Sequence, residues 1–259
     1  MKKIIHIHDQ FKHLRKYLEE IPEKFEERGV VIYNERNQVR TDVVQGEKIV
    51  VKSFRKIYLA NRFIYAYLRP SKAKRAYEYA LMLQQEGINT PQPVAFIDCI
   101  ENGMLKAGYF VSVYTDYKPL SSFDTHDVAK SREMLECLAR FTLNLHLHKI
   151  YHEDYTLGNI LYHEQNGQYD FALIDNNRLK QVRISESDAV KSLNRLGFQP
   201  EAMTYLIRRY MELRGTNALK GLKLFYDYKY EASLRYGAKT RLKKLRDQFL
   251  GKRKLGNHC

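Results

Sequence analysis

The feature that most constrains this chain is a change of hydrophobic period partway along it. Residues 29–54, GVVIYNERNQVRTDVVQGEKIVVKSF, are rich in valine and isoleucine and are broken twice by turn residues, at Asn34–Gln38 and at Gln45-Gly46-Glu47. β-Branched runs bounded by such turns form strands, so this stretch predicts a three-stranded meander. The segments on either side follow a helical period instead. Residues 8–28 read as helix interrupted at Pro22. Residues 71–86 read as helix, with Ser71 as N-cap and Ala76, Tyr79, Ala80 and Leu83 on one face. Gly87 ends that helix, and Pro91 and Pro93 follow it.

Two further strands are expected at 93–100 and 108–114. Residues 127–149 then form a strongly amphipathic helix, with Met134, Leu138, Phe141, Leu145 and His148 along one side. It leads into YHEDYTLGNILY, 151–162. The stretch NILYHEQNGQYDFALID, 159–175, reads as a hairpin turning at Asn166-Gly167. Everything from Ser185 onward reads as helix. The expected fold class is therefore α+β: a β-rich N-terminal part with one main helix, then a helical C-terminal part carrying a small hairpin. The length, 259 residues, suits one large domain or two small lobes sharing a cleft, and 44% hydrophobic residues are enough for a packed core.

Several classes are excluded. Cys99, Cys137 and Cys259 are far apart and odd in number, so neither a disulfide framework nor a zinc site is expected, and a reducing compartment fits. The start, MKKIIHIHDQ, lacks the apolar core of a secretory signal, and no run of about 18 apolar residues exists to span a membrane. The net charge of +14 favours polyanionic partners: acidic lipid, phosphorylated substrate or nucleic acid. No recognisable nucleic-acid-binding motif accompanies it, so nucleic acid is not the expected partner.

Four features fall in a fixed order along the chain. Lys52 lies on the third strand of the meander, and Glu78 on the helix that follows. Asp154 and Asn159, five residues apart, lie in the loop after the amphipathic helix. Asp175 ends the hairpin. Each has an ordinary reading: Lys52 a solvated strand lysine, Glu78 a surface acid, Asp175 a turn cap. Together, in this order, they match the parts that protein kinases use for phosphoryl transfer from ATP. A lysine holds phosphates, a helix glutamate positions that lysine, and an aspartate handles the acceptor hydroxyl. An asparagine and a second aspartate hold Mg²⁺, which favours such hard oxygen ligands. His152 is expected to brace the loop, and His148 is also expected to be structural.

These residues carry a family resemblance. LHKIYHEDYTLGNIL with FALIDNNRLK, and SKAKRAYEYALMLQQEGINTPQPVA before them, resemble the lipopolysaccharide core kinases of the protein-kinase-like superfamily (the Kdo kinase, WaaP and InaA type) over roughly residues 25–185. The resemblance implies a two-lobe kinase-like fold, with 1–115 as the N-terminal lobe and 116–259 as the C-terminal lobe. It implies ATP and Mg²⁺ as cofactors, and phosphorylation of a Kdo or heptose hydroxyl on the core and lipid A glycolipid. Lys52 would contact phosphates, with Glu78 paired to it. Asp154 would be the catalytic base, and Asn159 and Asp175 the metal ligands. The backbone of Val113, Tyr114 and Thr115 would face adenine. A cytoplasmic protein, peripheral at the inner face of the cytoplasmic membrane, is the implied location.

Three departures qualify the match. The turn at 34–38 has no glycine, so Arg36 or Asn37 is expected to meet the nucleotide in place of a glycine-rich backbone. Glu153 stands where protein kinases often carry arginine, and no A-P-E sequence follows Asp175; both argue against switching by activation-loop phosphorylation. Residues 48–77 hold nine basic side chains and no acid, and 239–254 hold eight against one, which points to an anionic membrane surface. Two other classes stay open at this point. One is a different small kinase, of the tRNA-modifying or small-molecule phosphotransferase type. The other is a non-catalytic kinase-like binding module.

Overall fold

The computed structural model describes all residues except Arg36, 55–61, 66–67 and 256–259, and describes no side chain at 244, 245 or 247–255. The expected meander is present as β2 (Val30–Asn34), β3 (Gln38–Val44) and β4 (Glu47–Ser53). It extends into a six-stranded antiparallel sheet with β1 (Lys2–Ile7), β5 (Pro93–Glu101) and β6 (Met104–Val113), in the order β1-β5-β6-β4-β3-β2. Side chains alternate along β4. Ile49, Val51 and Ser53 are buried on one face, and Val50 and Lys52 are left on the other. Lys52 sits mid-sheet, opposite Val39 of β3 and Phe110 of β6.

A helix covers each face of the sheet. A short 3₁₀ turn and α1 (Arg15–Lys24) bring Leu14, Leu18 and Ile21 onto Ile49, Val51 and Ile97. On the opposite face, α2 (Lys72–Gln85) packs Ala73 and Tyr77 against Phe54 and Phe96. Ser71 caps α2 as expected, accepting from Lys74 N–H at 2.9 Å. Gly108 permits the close approach: a Cβ there would lie 3.2 Å from Ala73 Cβ and 3.1 Å from Asp98 Oδ1. The inward phase of α2 differs slightly from expectation. Tyr77 is buried, and Tyr79 only half so.

The second core is helical. At its centre runs α3 (Val128–Leu147), capped by Asp127, whose Oδ1 accepts from Ala129 N–H at 3.0 Å. Met134, Leu138 and Leu145 are buried as expected. Phe141 and His148 are only partly buried, and Leu135, Thr142 and His146 complete the inward face. Around α3 pack α4 (Glu186–Asn194), α5 (Pro200–Leu213) and the start of α6 (Ala218–Leu255). The expected hairpin is β9 (Ile160–Gln165) with β10 (Gln168–Leu173), joined by β7 (Lys118–Pro119). A second ribbon, β8 (Ile150–His152) with β11 (Leu179–Gln181), brackets the loop between them.

Candidate active site

Two of the candidate residues, Lys52 and Asp175, meet between the two cores. The mid-sheet position of Lys52 aims its ammonium at the far core, where Nζ donates to Asp175 Oδ1 at 2.6 Å. Asp175 follows β10 in a left-handed backbone, φ 57° and ψ 41°, which costs a non-glycine residue roughly 1–2 kcal/mol. Asn177 Nδ2 donates to the same oxygen. Burial alone would raise the Asp175 carboxyl, but the neighbouring positive groups, Lys52 foremost and Arg178 with it, together hold it below the usual carboxylate value. It is an anion at neutral pH, and Oδ2 has no hydrogen-bond donor among the described residues.

The loop within 151–162 is braced by His152, as the sequence suggests. His152 is buried. Its Nε2 lies 3.2 Å from Ile174 O, and its Nδ1 accepts from Asp154 N–H at 3.1 Å. These partners assign the neutral Nε2–H tautomer. Burial also pushes the imidazole below its ordinary pKa. Asp154 O accepts from Asn159 Nδ2 and from Thr156 N–H, both at 2.8 Å. With its nitrogen so used, Asn159 has Oδ1 left without a hydrogen-bond partner among the described residues. Ile174 N–H donates to Asn159 O at 3.0 Å and ties this loop to the one that carries Asp175. The Asp154 carboxylate is one-third exposed, with Arg178 Nη1 3.7 Å from Oδ2.

A cavity of about 420 Å³ opens between sheet and hairpin. Ile32, Val39, Val50, Val113, Leu161 and Ile174 give it apolar walls, and Lys52 and Asp175 stand at its polar end. Val113, Tyr114 and Thr115 all line it. The N–H groups of Val113 and Tyr114 are already used, by Gln92 O and Lys48 O at 2.8 Å each. This leaves Thr115 N–H as the donor on that segment without a partner among the described residues. Of the two residues expected to replace a glycine-rich loop, Arg36 lies outside the described residues. Asn37 sits at the β2–β3 turn, where its O accepts from Glu35 N–H at 3.1 Å.

One expectation fails on geometry. Glu78 does not reach Lys52; it is exposed and lies 3.7 Å from Lys74, one turn away on the same helix. The reason is helical phase. Ala76 lines the cavity, and Glu78, two residues on, points about 200° away from it.

Sequence reasoning missed three residues here. Asn177 supports the Asp175 carboxylate. Thr90 and Asn176, both buried, join the two cores: Thr90 Oγ1 donates to Leu173 O at 2.7 Å and accepts from Asn176 Nδ2 at 2.9 Å. Beside them, Leu173 N–H donates to Asn89 O at 3.0 Å.

A β-rich part stacked on a helical part, with a strand lysine bonded to a hairpin aspartate between them, defines the protein-kinase-like class of fold. The solved structure of "WaaP in complex with acyl carrier protein" aligns with TM-score 0.59 at 17% identity, over 95% of this chain and 99% of that one. The Rio2 kinase of Chaetomium thermophilum, solved with ADP, Mg²⁺ and phosphoaspartate, aligns at TM-score 0.45 and 16% identity, over 79% of this chain and 59% of that one. The profile of the lipopolysaccharide kinase (Kdo/WaaP) family matches residues 23–213, and the chain belongs to that family. Comparison with curated proteins gives no sequence match.

Proposed function

We propose that the chain transfers the γ-phosphoryl group of ATP to a hydroxyl of an inner-core sugar of lipopolysaccharide, a Kdo or a heptose. The family match over 23–213 favours this acceptor over the alternatives of tRNA-modifying and small-molecule kinases. The observation that carries the reading is the bond between Lys52 and Asp175, 123 residues apart, at the polar end of an apolar cavity. In this reading adenine lies between the apolar walls, bonded to Thr115 N–H, and Lys52 meets the phosphates. Asp154 takes the proton of the acceptor hydroxyl, held in place by the bonds of its backbone to His152 and Asn159. Asn159 Oδ1 and Asp175 Oδ2 suit Mg²⁺, which commonly takes one or two protein oxygens together with water and substrate phosphates. That ion would neutralise phosphate charge during transfer. We place the division between the lobes at residues 115 and 116, with the nucleotide phosphate side in the first.

The acceptor is a glycolipid, so a membrane surface is part of the proposal. No helix among the described residues is long and apolar enough to cross a membrane. The later part of α6 nevertheless leaves Tyr230, Leu234, Tyr236 and Leu242 exposed, next to the basic run 239–254. Such a helix suits an anionic membrane surface, at about 1 kcal/mol per basic residue. In this reading the protein works at the inner face of the cytoplasmic membrane. The direct test is to incubate the purified chain with Mg²⁺, ATP and core glycolipid, then weigh the released glycan. A gain of one phosphate on a Kdo or heptose is expected, and an unchanged glycan would contradict the reading.

A further inference from the structure

The cleft beside Asp154 carries a cation that the proposed reaction does not use. Arg178 closes the 3₁₀ turn Asn176–Arg178, and the β8–β11 ribbon holds it there. Glu153 N–H donates to Arg178 O at 3.3 Å. The guanidinium, 44% exposed, is near the Asp154 carboxylate at 3.7 Å, too far for a hydrogen bond, and makes none among the described residues. Lys180, opposite Tyr151 on the ribbon, is held by Glu153 at 2.5 Å. The Glu153–Lys180 pair is neutral overall. What remains is the Asp154 carboxylate accompanied by one guanidinium, Arg178, whose donors make no hydrogen bond among the described residues.

A neutral sugar would give those donors nothing better than water. A guanidinium fork matches a carboxylate or phosphate, and charge-assisted bonds of that kind are about twice as strong as neutral ones. Resting on the sugar-kinase reading, we infer that Arg178 binds an anionic group of the acceptor, a carboxylate or a phosphate close to the hydroxyl that is phosphorylated. The anion docks on the guanidinium, and its neighbouring hydroxyl is thereby presented to Asp154. Arg178 is thus a specificity residue for an acidic sugar, separate from the nucleotide end of the cleft, where Lys52 provides the positive charge.

The test is steady-state kinetics of the full chain with three acceptors: intact core glycolipid, the same glycolipid with its carboxylates reduced to alcohols, and the same with its phosphates removed. One of the altered acceptors is expected to raise the acceptor KM roughly tenfold to a hundredfold, the scale of one lost charge-assisted bond, at unchanged KM for ATP. Which acceptor shows the loss identifies the anion. R178Q should show a comparable rise with intact glycolipid and little further rise with the acceptor that lacks the anion. R178K should recover part of the loss. The Arg178 side chain is partly exposed, so an unchanged melting temperature checks that the variants fold. Equal KM for all three acceptors, or an R178Q penalty undiminished on the acceptor that lacks the anion, overturns this inference alone. Absence of turnover with every acceptor overturns the sugar-kinase reading and this inference with it.

Discussion

Lys52 gives its ammonium to Asp175, while Glu78 faces solvent beside Lys74. The two side chains should therefore differ sharply under mutation. Glu78→Ala should leave kcat/KM for ATP within about twofold and stability within roughly 0.5 kcal/mol, as for other surface sites. Lys52→Met should lower kcat/KM by about a hundredfold or more, the usual loss when a charge facing the transition state is removed. Steady-state kinetics of the pair would check this, and a large loss in the Glu78 variant would contradict the assignment. The phase of α2 was legible in the sequence. A face running through Ala76 and Ala80 already turns Glu78 outward, and the kinase pattern overrode that signal.

Two buried histidines give a pH dependence at the same scale. Burial pushes His146, bonded to Tyr210 Oη at 2.7 Å, down to about 3, and lowers His152 as well. Below about pH 6.5 the unfolded chain takes up protons that these sites refuse, so stability falls as pH falls. The loss is at most about 1.4 kcal/mol per pH unit for each histidine. Asp98 acts in the opposite sense. Burial pushes its carboxyl up to about 6, so below that value the folded chain gains the proton first and offsets part of the loss. Urea unfolding at stepped pH should show stability already declining between about pH 6.5 and 6. Rising stability across that interval would contradict the neutral assignment of both rings.

At the scale of elements, the link between the two cores is Thr90, in the connection after α2. Its hydroxyl serves Leu173 O and Asn176 Nδ2. Thr90→Val keeps the shape and leaves both groups unpaired, costing about 1–3 kcal/mol of stability. Because Asn176 adjoins Asp175, the KM for Mg-ATP should also rise several-fold, and Thr90→Ser should restore it. A stability loss with unchanged KM would make Thr90 structural only. The larger elements were legible because each carries a long period: the meander, α2, α3 and the Asn166-Gly167 hairpin. The ribbon β8–β11 has three residues per strand, too few for any period to register. Strand β1, KKIIHI, alternates only weakly. It is defined by pairing with β5, Ile5 opposite Ile97, across a separation that local pattern does not encode.

For the whole molecule, the site is an assembly of distant segments. Sequence order offered the parts, Lys52, Asp154, Asn159 and Asp175, but the bond between Lys52 and Asp175 comes from stacking one core on the other. Thr90 and Asn176 were invisible for the same reason: each looks like an ordinary turn residue until the cores meet. The molecule also has a strongly uneven surface, with the exposed side chains of α6 leading into its basic end. Removing residues 239–259 should release the protein from vesicles containing anionic lipid while leaving nucleotide binding intact. Retained flotation with such vesicles would place membrane attachment elsewhere.

The central claim is phosphoryl transfer to a sugar with Asp154 as base. The most direct measurement compares wild type with Asp154→Asn, following ATP-dependent phosphate gain on core glycan by mass spectrometry at matched nucleotide occupancy. The account predicts one added phosphate on an inner-core sugar with wild type, and none with the variant despite unchanged Mg-ATP binding. Phosphate transfer by Asp154→Asn at the wild-type rate would contradict it.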